Sequence, residues 1–223
     1  MNNTCECEDI LEICCCLRLG EAVPDFEADT NQGRIEFSEF NKGSWVILFS
    51  HPADFTPVCT TEFGGFALKQ EKFDKRNVKL LGLSIDSVYS HIAWIKEIES
   101  LYETKIKFPV IADLGFEVSH MYNMIHPAIS KVHAIRAIHI IDPEGILRAS
   151  LTLPMGVGRN VDEIIRMIDA MQLVDKEKIA TPANWKPGDK VIVPPPQTSE
   201  EADKRDHEKH EDCKSWFFCK KTV

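Results

Sequence analysis

The sequence predicts an α/β fold in which a mixed central sheet is flanked by helices and followed by a C-terminal arm. Two observations predict the sheet: apolar runs of strand length alternate with helical patterns in a βαβαβ order, and a later pair of runs forms a hairpin. A third predicts the arm, because prolines and charged residues replace the apolar patterns after residue 173. The alternating part requires parallel strands and the hairpin adds antiparallel ones, so the sheet is expected to be mixed.

The first predicted strand leads through a short turn into a helix with a cysteine near its start. The β-branched and aromatic run at residues 45–49 predicts a buried strand, and Thr56 and Pro57 suit the N-cap and the first position of a helix. Cys59 then lies in the first helical turn, where free N–H groups and the positive end of the helix dipole stabilise an anion. Because the thiolate is the nucleophilic form of cysteine, Cys59 is a candidate nucleophile; the alternative is an inert buried side chain.

A central strand, a helix and a short strand are expected next. Residues 78–85 form a nearly continuous apolar run, which is typical of a central strand, and Ser87 or Ser90 can open the helix that follows. Residues 108–112 predict the short strand. The apolar residues of the helix recur at helical spacing: Ile92, Ile95, Ile98 and Leu101.

A hairpin and a last helix complete the predicted core. Residues 134–141 and 146–153 predict two strands, and the Pro143 and Gly145 between them suit a tight turn. Asn160 can cap the helix, which carries acidic residues in its first turn. Its apolar face comprises Val161, Ile164, Ile165 and Ile168.

Arg136 interrupts the first strand of this hairpin. Alternation places it on the same face as Ile138 and Ile140, where an unpaired charge would be costly to bury. Its partner could be the Cys59 thiolate, which would make it part of the active site, or a carboxylate such as Glu62 in a structural ion pair. Both pairings can also hold together, because a guanidinium carries several N–H donors.

Composition narrows the classes of function. A chain of 223 residues with 43% hydrophobic content can bury a full core, and no apolar run approaches the roughly 20 residues that span a bilayer. The acidic N-terminus lacks the basic flank of a signal peptide, so we expect a cytoplasmic protein with no membrane partner. A formal charge of −9 argues against nucleic acid as a partner. Eight irregularly spaced cysteines indicate redox or metal chemistry.

The turn before the first helix resembles a known signature. Pro52, Thr56 and Cys59 match the Pro-x-x-x-Thr-x-x-Cys pattern of peroxiredoxins, and the string from His51 to Glu62 resembles the one-Cys-like (type six) subfamily. The resemblance continues along the chain from about residue 19. It implies a thioredoxin-like fold and a thiol peroxidase acting on hydrogen peroxide and organic hydroperoxides, without a cofactor. It also implies a peroxidatic Cys59 and a substrate site formed by Pro52, Thr56, Arg136 and Arg159.

The resemblance also implies roles for the C-terminal arm. In prokaryotic members with a C-terminal cysteine pair, a similar Cys-x5-Cys segment supplies the resolving thiol, which assigns that role to Cys219 and an auxiliary role to Cys213. The sulfenic acid of Cys59 would then form an intersubunit disulfide, recycled by thioredoxin or a similar dithiol protein. Relatives form dimers and rings of five dimers, so a homodecamer is expected.

These observations divide the chain into three parts. Residues 19–173 are expected to form the thioredoxin-like peroxidase domain, and residues 174–223 the arm with the resolving cysteine. Residues 1–18 form an extension without a counterpart in the family pattern. The role of its cysteines is left open: Cys5, Cys7, Cys14, Cys15 and Cys16.

Rival functions rest on weaker patterns. A thioredoxin-type oxidoreductase needs Cys-x-x-Cys, but Glu62 stands where the second cysteine would follow Cys59. A cysteine hydrolase would use His51 as its base, and the lipase-like Gly-x-Ser-x-Gly pattern of some type-six relatives is absent around Ser44. A metal-binding protein could use the terminal clusters, including the potential zinc ligands His207, His210, Cys213 and Cys219. A holdase chaperone is a further alternative, which leaves no sequence signature.

Overall fold

The computed structural model describes residues 17–207 and 212–223. The five N-terminal cysteines and His210 therefore lie outside the described residues. The chain forms two units, of which the first ends at Val161 and the second begins at Asp162. The domain boundaries expected after residues 18 and 173 stay predictions.

The first unit contains one mixed sheet. Its strands are β1 (Glu27–Thr30), β2 (Gly33–Glu36), β3 (Trp45–Ser50), β4 (Val78–Ser84), β5 (Val110–Ala112), β6 (Arg136–Ile141) and β7 (Leu147–Leu153). They lie side by side in the order β2-β1-β5-β4-β3-β6-β7. The pairs β3–β4 and β4–β5 are parallel, and the other neighbours are antiparallel. The predicted mixed sheet is confirmed.

Helices separate most of these strands along the chain. They are α1 (Phe37–Asn41), α2 (Pro57–Leu68), α3 (Gln70–Asp74), α4 (Val88–Tyr102) and α5 (Glu117–Met121). Ser87 caps α4, and its hydroxyl accepts a hydrogen bond from the Ser90 N–H at 3.2 Å. In the described ranges, every helix is too short or too polar to cross a membrane.

The two central antiparallel strands bring distant parts of the chain together. Every residue of β3 and of β6 is buried, and Phe49 of β3 pairs with Ile138 of β6. The predicted hairpin is β6–β7, in which Arg136 pairs with Leu153. Because α2 follows β3 directly, this pairing places the start of α2 and the start of β6 at the same end of the sheet.

Two features differ from the sequence prediction. The β1–β2 hairpin was not predicted, because its strands are short and mostly polar or exposed at the sheet edge. The predicted helix is α4, whose buried face consists of His91, Trp94, Ile95 and Ile98, whereas Ile92 and Leu101 are exposed. The helical spacing of the aliphatic residues therefore did not define the buried face, which includes a histidine and a tryptophan.

The second unit begins at the second residue of α6 (Val161–Glu177). The elements that follow are β8 (Val191–Ile192), α7 (Ser199–His207), β9 (Cys213–Ser215) and β10 (Phe218–Lys221). The strands form a small antiparallel sheet in the order β8-β10-β9. The elements after α6 are short, as the prolines predict. A small apolar core joins Ala170, Ile179, Trp185 and Val191.

Candidate active site

Cys59 lies where the sequence predicts, in the first turn of α2. Thr56 occupies the N-cap position with an extended backbone, and Pro57 is the first helical residue. The Thr56 side chain does not cap the helix, however, because its hydroxyl donates to the Ala53 carbonyl at 2.8 Å. The Thr56 hydroxyl therefore does not occupy the amide groups of the first turn. The Cys59 side chain is completely buried, with 0% of its surface exposed.

Arg136 at the start of β6 contacts both of its predicted partners. Its Nη1 lies 3.4 Å from Cys59 Sγ and 2.6 Å from Glu62 Oε2, and its Nε donates to the Met155 carbonyl at 2.7 Å. The two predicted pairings therefore occur together, and the catalytic role of Arg136 stays a prediction. Glu62 orients the guanidinium, which at the same time directs an N–H towards the sulfur.

Arg159 forms the other half of this ion-pair cluster. Its backbone N–H and Nε each donate to Glu62 Oε1 at 2.8 Å, and its Nη2 donates to Glu62 Oε2 at 2.6 Å. Its Nη1 donates to the carbonyls of Ser50 and Ala137 at 2.9 and 3.0 Å. Arg159 thus holds Glu62 and ties it to β3 and β6. Its expected role in binding substrate stays a prediction.

The charges of this cluster favour an anion at the sulfur. Burial alone would raise the pKa of Glu62, but the hydrogen bonds and charge of Arg159 and the charge of Arg136 lower it overall. Glu62 is therefore ionised, and together with the two guanidiniums it carries a net charge of about +1. A Cys59 thiolate would neutralise that charge.

The loop between β3 and α2 is also buried and tightly bonded. Pro52 is buried, and the neighbouring His51 ring lies 2.8 Å from Asp54 Oδ1 through its Nε2. Burial lowers the pKa of His51 most strongly, although Asp54 opposes this shift. Asp54 also contacts His91 of α4, whose Nδ1 lies 2.7 Å from Oδ2. Sequence reasoning missed both partners, because a carboxylate in a turn and a histidine on a helix carry no local signal.

One cluster of the described residues could hold a metal ion. His51, Asp54 and Asp86 each offer a ligand atom, and these atoms lie within 4.8 Å of one another. The Asp54 oxygens already contact His51 and His91, and Asp86 Oδ2 accepts bonds from the Ser84 hydroxyl and the Asp54 N–H. The geometry is therefore that of a hydrogen-bond network, in which the ligand atoms already have partners.

The arm cysteines lie in the second unit and are bonded to each other. Cys213 of β9 and Cys219 of β10 form a disulfide across the small sheet, and Trp216 and Phe217 lie in the turn between the strands. Zinc binds cysteine as a thiolate, and the two sulfur atoms of a disulfide are not thiolates. The zinc alternative is therefore not favoured.

The chain is similar to two family models and to curated proteins. Residues 19–150 match the model of the AhpC/TSA family, and residues 170–209 match the C-terminal domain of 1-Cys peroxiredoxin. A peroxiredoxin of Aquifex aeolicus (strain VF5) is 51% identical over 223 residues, covering 96% of this chain and 100% of that protein.

Two solved structures are similar along most of the chain. A cysteine-to-serine mutant of the peroxiredoxin 6 of Arenicola marina has a TM-score of 0.78 and 40% identity, covering 84% of this chain and 88% of that one. A yeast mitochondrial 1-Cys peroxiredoxin, described for thiol resolving via glutathione/thioredoxin systems, has a TM-score of 0.79 and 41% identity. The match covers 92% of this chain and 100% of the yeast chain.

Replacing Glu62 tests the charge cluster. We expect Glu62→Gln to lower the free energy of unfolding by about 3–5 kcal/mol, because two buried guanidiniums lose their counter-charge. Since the pKa of Glu62 is lowered in the folded protein, its contribution is present above the unfolded value of about 4.3 and is lost as pH falls through the folded value. Urea unfolding from neutral to acidic pH measures both effects.

The control is Glu71→Gln on the exposed surface of α3, which should leave stability nearly unchanged at every pH. Equal stability of Glu62→Gln and the wild type at neutral pH would contradict the structural role of Glu62.

Proposed function

The chain belongs to the AhpC/TSA family and is a peroxiredoxin, an oxidoreductase with peroxidase activity; from this premise we propose that it reduces hydrogen peroxide and organic hydroperoxides through Cys59. The observation that carries the proposal is the 3.4 Å contact between Arg136 Nη1 and Cys59 Sγ in the first turn of α2. This contact supports a Cys59 thiolate that lies beside the Arg136 cation and at the positive end of the α2 dipole.

The proposed first step breaks the O–O bond of the peroxide. The Cys59 thiolate attacks one oxygen, its electron pair forms the S–O bond, and the O–O pair leaves with the other oxygen, which takes up a proton. The products are a sulfenic acid and water or an alcohol. Charge develops on the departing oxygen, where Arg136 and first-turn amide groups can stabilise it. We propose that the Thr56 hydroxyl turns from the Ala53 carbonyl to donate to the same oxygen. We place Pro52 and Arg159 in the walls of the same site.

The proposed second step uses the arm of another subunit. The Cys219 thiol condenses with the sulfenic acid, which forms an intersubunit disulfide and releases water. Because Cys59 is completely buried, the first turn of α2 has to open before another thiol can reach it. Cys213 then attacks Cys219 and releases Cys59, a step that the Cys213–Cys219 disulfide supports. Thioredoxin or a similar dithiol protein would reduce that last disulfide.

We propose a homodimer that assembles into a decamer in the cytoplasm, where dithiol reductants keep thiols reduced. One feature supports assembly: Phe55 and Leu101 are exposed beside the start of α2 and line one open pocket with Pro57. Exposed apolar patches of this kind are commonly buried between subunits.

Cys59→Ser is the direct test of the reaction. We expect it to abolish peroxide reduction coupled to thioredoxin and its reductase, because a serine hydroxyl does not ionise near neutral pH. Thermal unfolding should change little, since the substitution is nearly isosteric. Substantial residual turnover in this variant would mean that another cysteine is the nucleophile.

Arg136→Met tests the electrostatic role. We expect the second-order rate of Cys59 oxidation to fall by about 10²–10³, because one preorganised donor to the breaking bond is lost. Stopped-flow oxidation of the reduced protein measures this rate directly. The matched control is Arg34→Met, which removes an exposed ion pair with Glu27 and should leave the rate unchanged. An unchanged oxidation rate in Arg136→Met would show that Arg136 has only a structural role.

Cys219→Ser tests resolution. In a background where Cys213 and the five N-terminal cysteines are serine, so that the intersubunit disulfide cannot pass to Cys213, we expect peroxide to convert the parent protein to covalent dimers on non-reducing electrophoresis. Cys219→Ser in this background should react once with peroxide, form no dimer and fail to recycle. Restoring Cys213 should release the dimer as monomers that carry the Cys213–Cys219 disulfide, and it should make recycling faster. If the oxidised parent runs only as a monomer, or if Cys219→Ser dimerises and turns over normally, Cys219 is not the resolving residue.

A further inference from the structure

Asp54 ties the loop before α2 to two other elements. Its Oδ1 lies 2.8 Å from His51 Nε2, and its Oδ2 lies 2.7 Å from Nδ1 of His91 on α4. Its backbone N–H donates at 2.9 Å to Asp86 Oδ2, just beyond β4. His51, Asp54 and His91 are buried, and the reaction described above uses none of them.

The bonding of His91 implies its charge. One ring nitrogen faces the Asp54 carboxylate, and the other lies 3.1 Å from the Ile111 carbonyl on β5, so both face acceptors. A neutral imidazole has one N–H, whereas an imidazolium has two. Asp54 itself is ionised: burial alone would raise its pKa, but its bonds to His51 and His91 hold it well below the usual range. Asp54 and His91 therefore form a buried ion pair.

His51 needs no second proton. Its Nε2–H donates to Asp54, and its Nδ1 has no hydrogen-bond partner among the residues that the structure describes. The groups that face His91 are therefore Asp54 and His51 from the loop, the Ile111 carbonyl from β5, and Asp86 through the Asp54 amide. The imidazolium has one counter-charge in direct contact, the Asp54 carboxylate.

The residue next to Asp54 is held in an unfavourable backbone conformation. Phe55 has a φ of +56°, in the left-handed region that side chains other than glycine seldom adopt. Its side chain is 58% exposed, so packing does not impose this conformation. Such strain persists only where neighbouring contacts hold it, and here Asp54 supplies them immediately before Thr56 and α2.

The later turns of α2 are held by different contacts. Trp94 Nε1 donates to the Thr60 hydroxyl at 3.2 Å, and the Tyr102 ring packs directly against Gly64, where a Cβ would lie 2.5 Å from Cζ. Loss of the Asp54 contacts would therefore free the loop and the first turn while the rest of α2 stays attached to α4.

We propose that His91 is a positioning residue which, through its ion pair with Asp54, keeps the first turn of α2 formed and Cys59 enclosed beside Arg136. Loss of the His91 ring releases the strain at Phe55 and favours the opened turn. The consequence for turnover rests on the proposed function: attack on peroxide becomes slower, and disulfide formation with Cys219 becomes faster. A residue with a purely structural role would not move the two steps in opposite directions.

The test uses reduced full-length protein without peroxide and measures hydrogen exchange of the Thr60 amide, which closes the first turn of α2 by donating to the Thr56 carbonyl at 2.9 Å. His91→Phe keeps a ring but removes both N–H donors, and we expect exchange about tenfold faster or more, because one partner of a buried ion pair is lost. The control is His120→Phe, the same change at an exposed histidine of α5. Protection of β3 reports on the fold as a whole.

Two substitutions of Asp54 test the same contacts from the other side. In Asp54→Asn the amide can still accept from His51 and can donate to a neutral His91, so the turn should stay protected. Asp54→Ala removes both bonds, so first-turn exchange should be about tenfold faster or more than in Asp54→Asn. This comparison decides the matter even if His91→Phe fails to fold.

Unchanged first-turn protection in a folded His91→Phe variant would overturn the proposal. So would equal first-turn protection in Asp54→Asn and a folded Asp54→Ala variant. Neither measurement involves turnover, so failure of the peroxidase proposal, seen as activity in Cys59→Ser, is distinguishable from failure of this one.

Discussion

Burying two guanidiniums beside a cysteine is possible only because the Glu62 carboxylate is buried with them. Arg159 approaches Glu62 through two side-chain nitrogens and its backbone amide, and Arg136 adds a further bond. The Glu62 carboxylate therefore binds both guanidiniums, while one N–H of Arg136 still contacts the Cys59 sulfur. The three groups leave a net charge of about +1 beside the sulfur, which supports the proposal of Cys59 as the nucleophile.

The sheet determines where these charges meet. Arg136 comes from β6, Glu62 from α2 after β3, and the two strands are paired and completely buried. Arg159 adds bonds to carbonyls of Ser50 and Ala137, one at the end of β3 and one in β6. The site is thus anchored to two completely buried strands of the first unit, which suits a reaction that depends on alignment.

The loop before α2 has two conflicting tasks in the proposed reaction: it has to enclose Cys59 and later to expose it. Attack on a peroxide needs an enclosed sulfur, whereas another thiol can reach the completely buried Cys59 only after the first turn opens. In the mechanism that we propose, a strained Phe55 held by the Asp54–His91 pair satisfies both needs locally, because the later turns of α2 have contacts of their own. Opening then requires breaking few contacts and leaves the sheet intact.

Local patterns in the sequence were sufficient for much of the fold and for part of the site. Buried central strands such as β3 and β6 are continuous apolar runs, and the helix start at Thr56, Pro57 and Cys59 is set by residues adjacent in the chain. These features were predictable because their causes lie within a few residues. The β1–β2 hairpin was not, since its edge strands carry little apolar signal.

The remaining features depended on residues far apart in the chain. Arg159 meets Glu62 across 97 positions and His91 meets Asp54 across 37, and neither pairing has a period or a spacing that a sequence reveals. The sequence by itself determined which groups could react, because the thiol and its helix start are local. Tertiary structure alone decided which charges surround that thiol and what holds its loop, because buried ions select their partners by proximity in the folded chain.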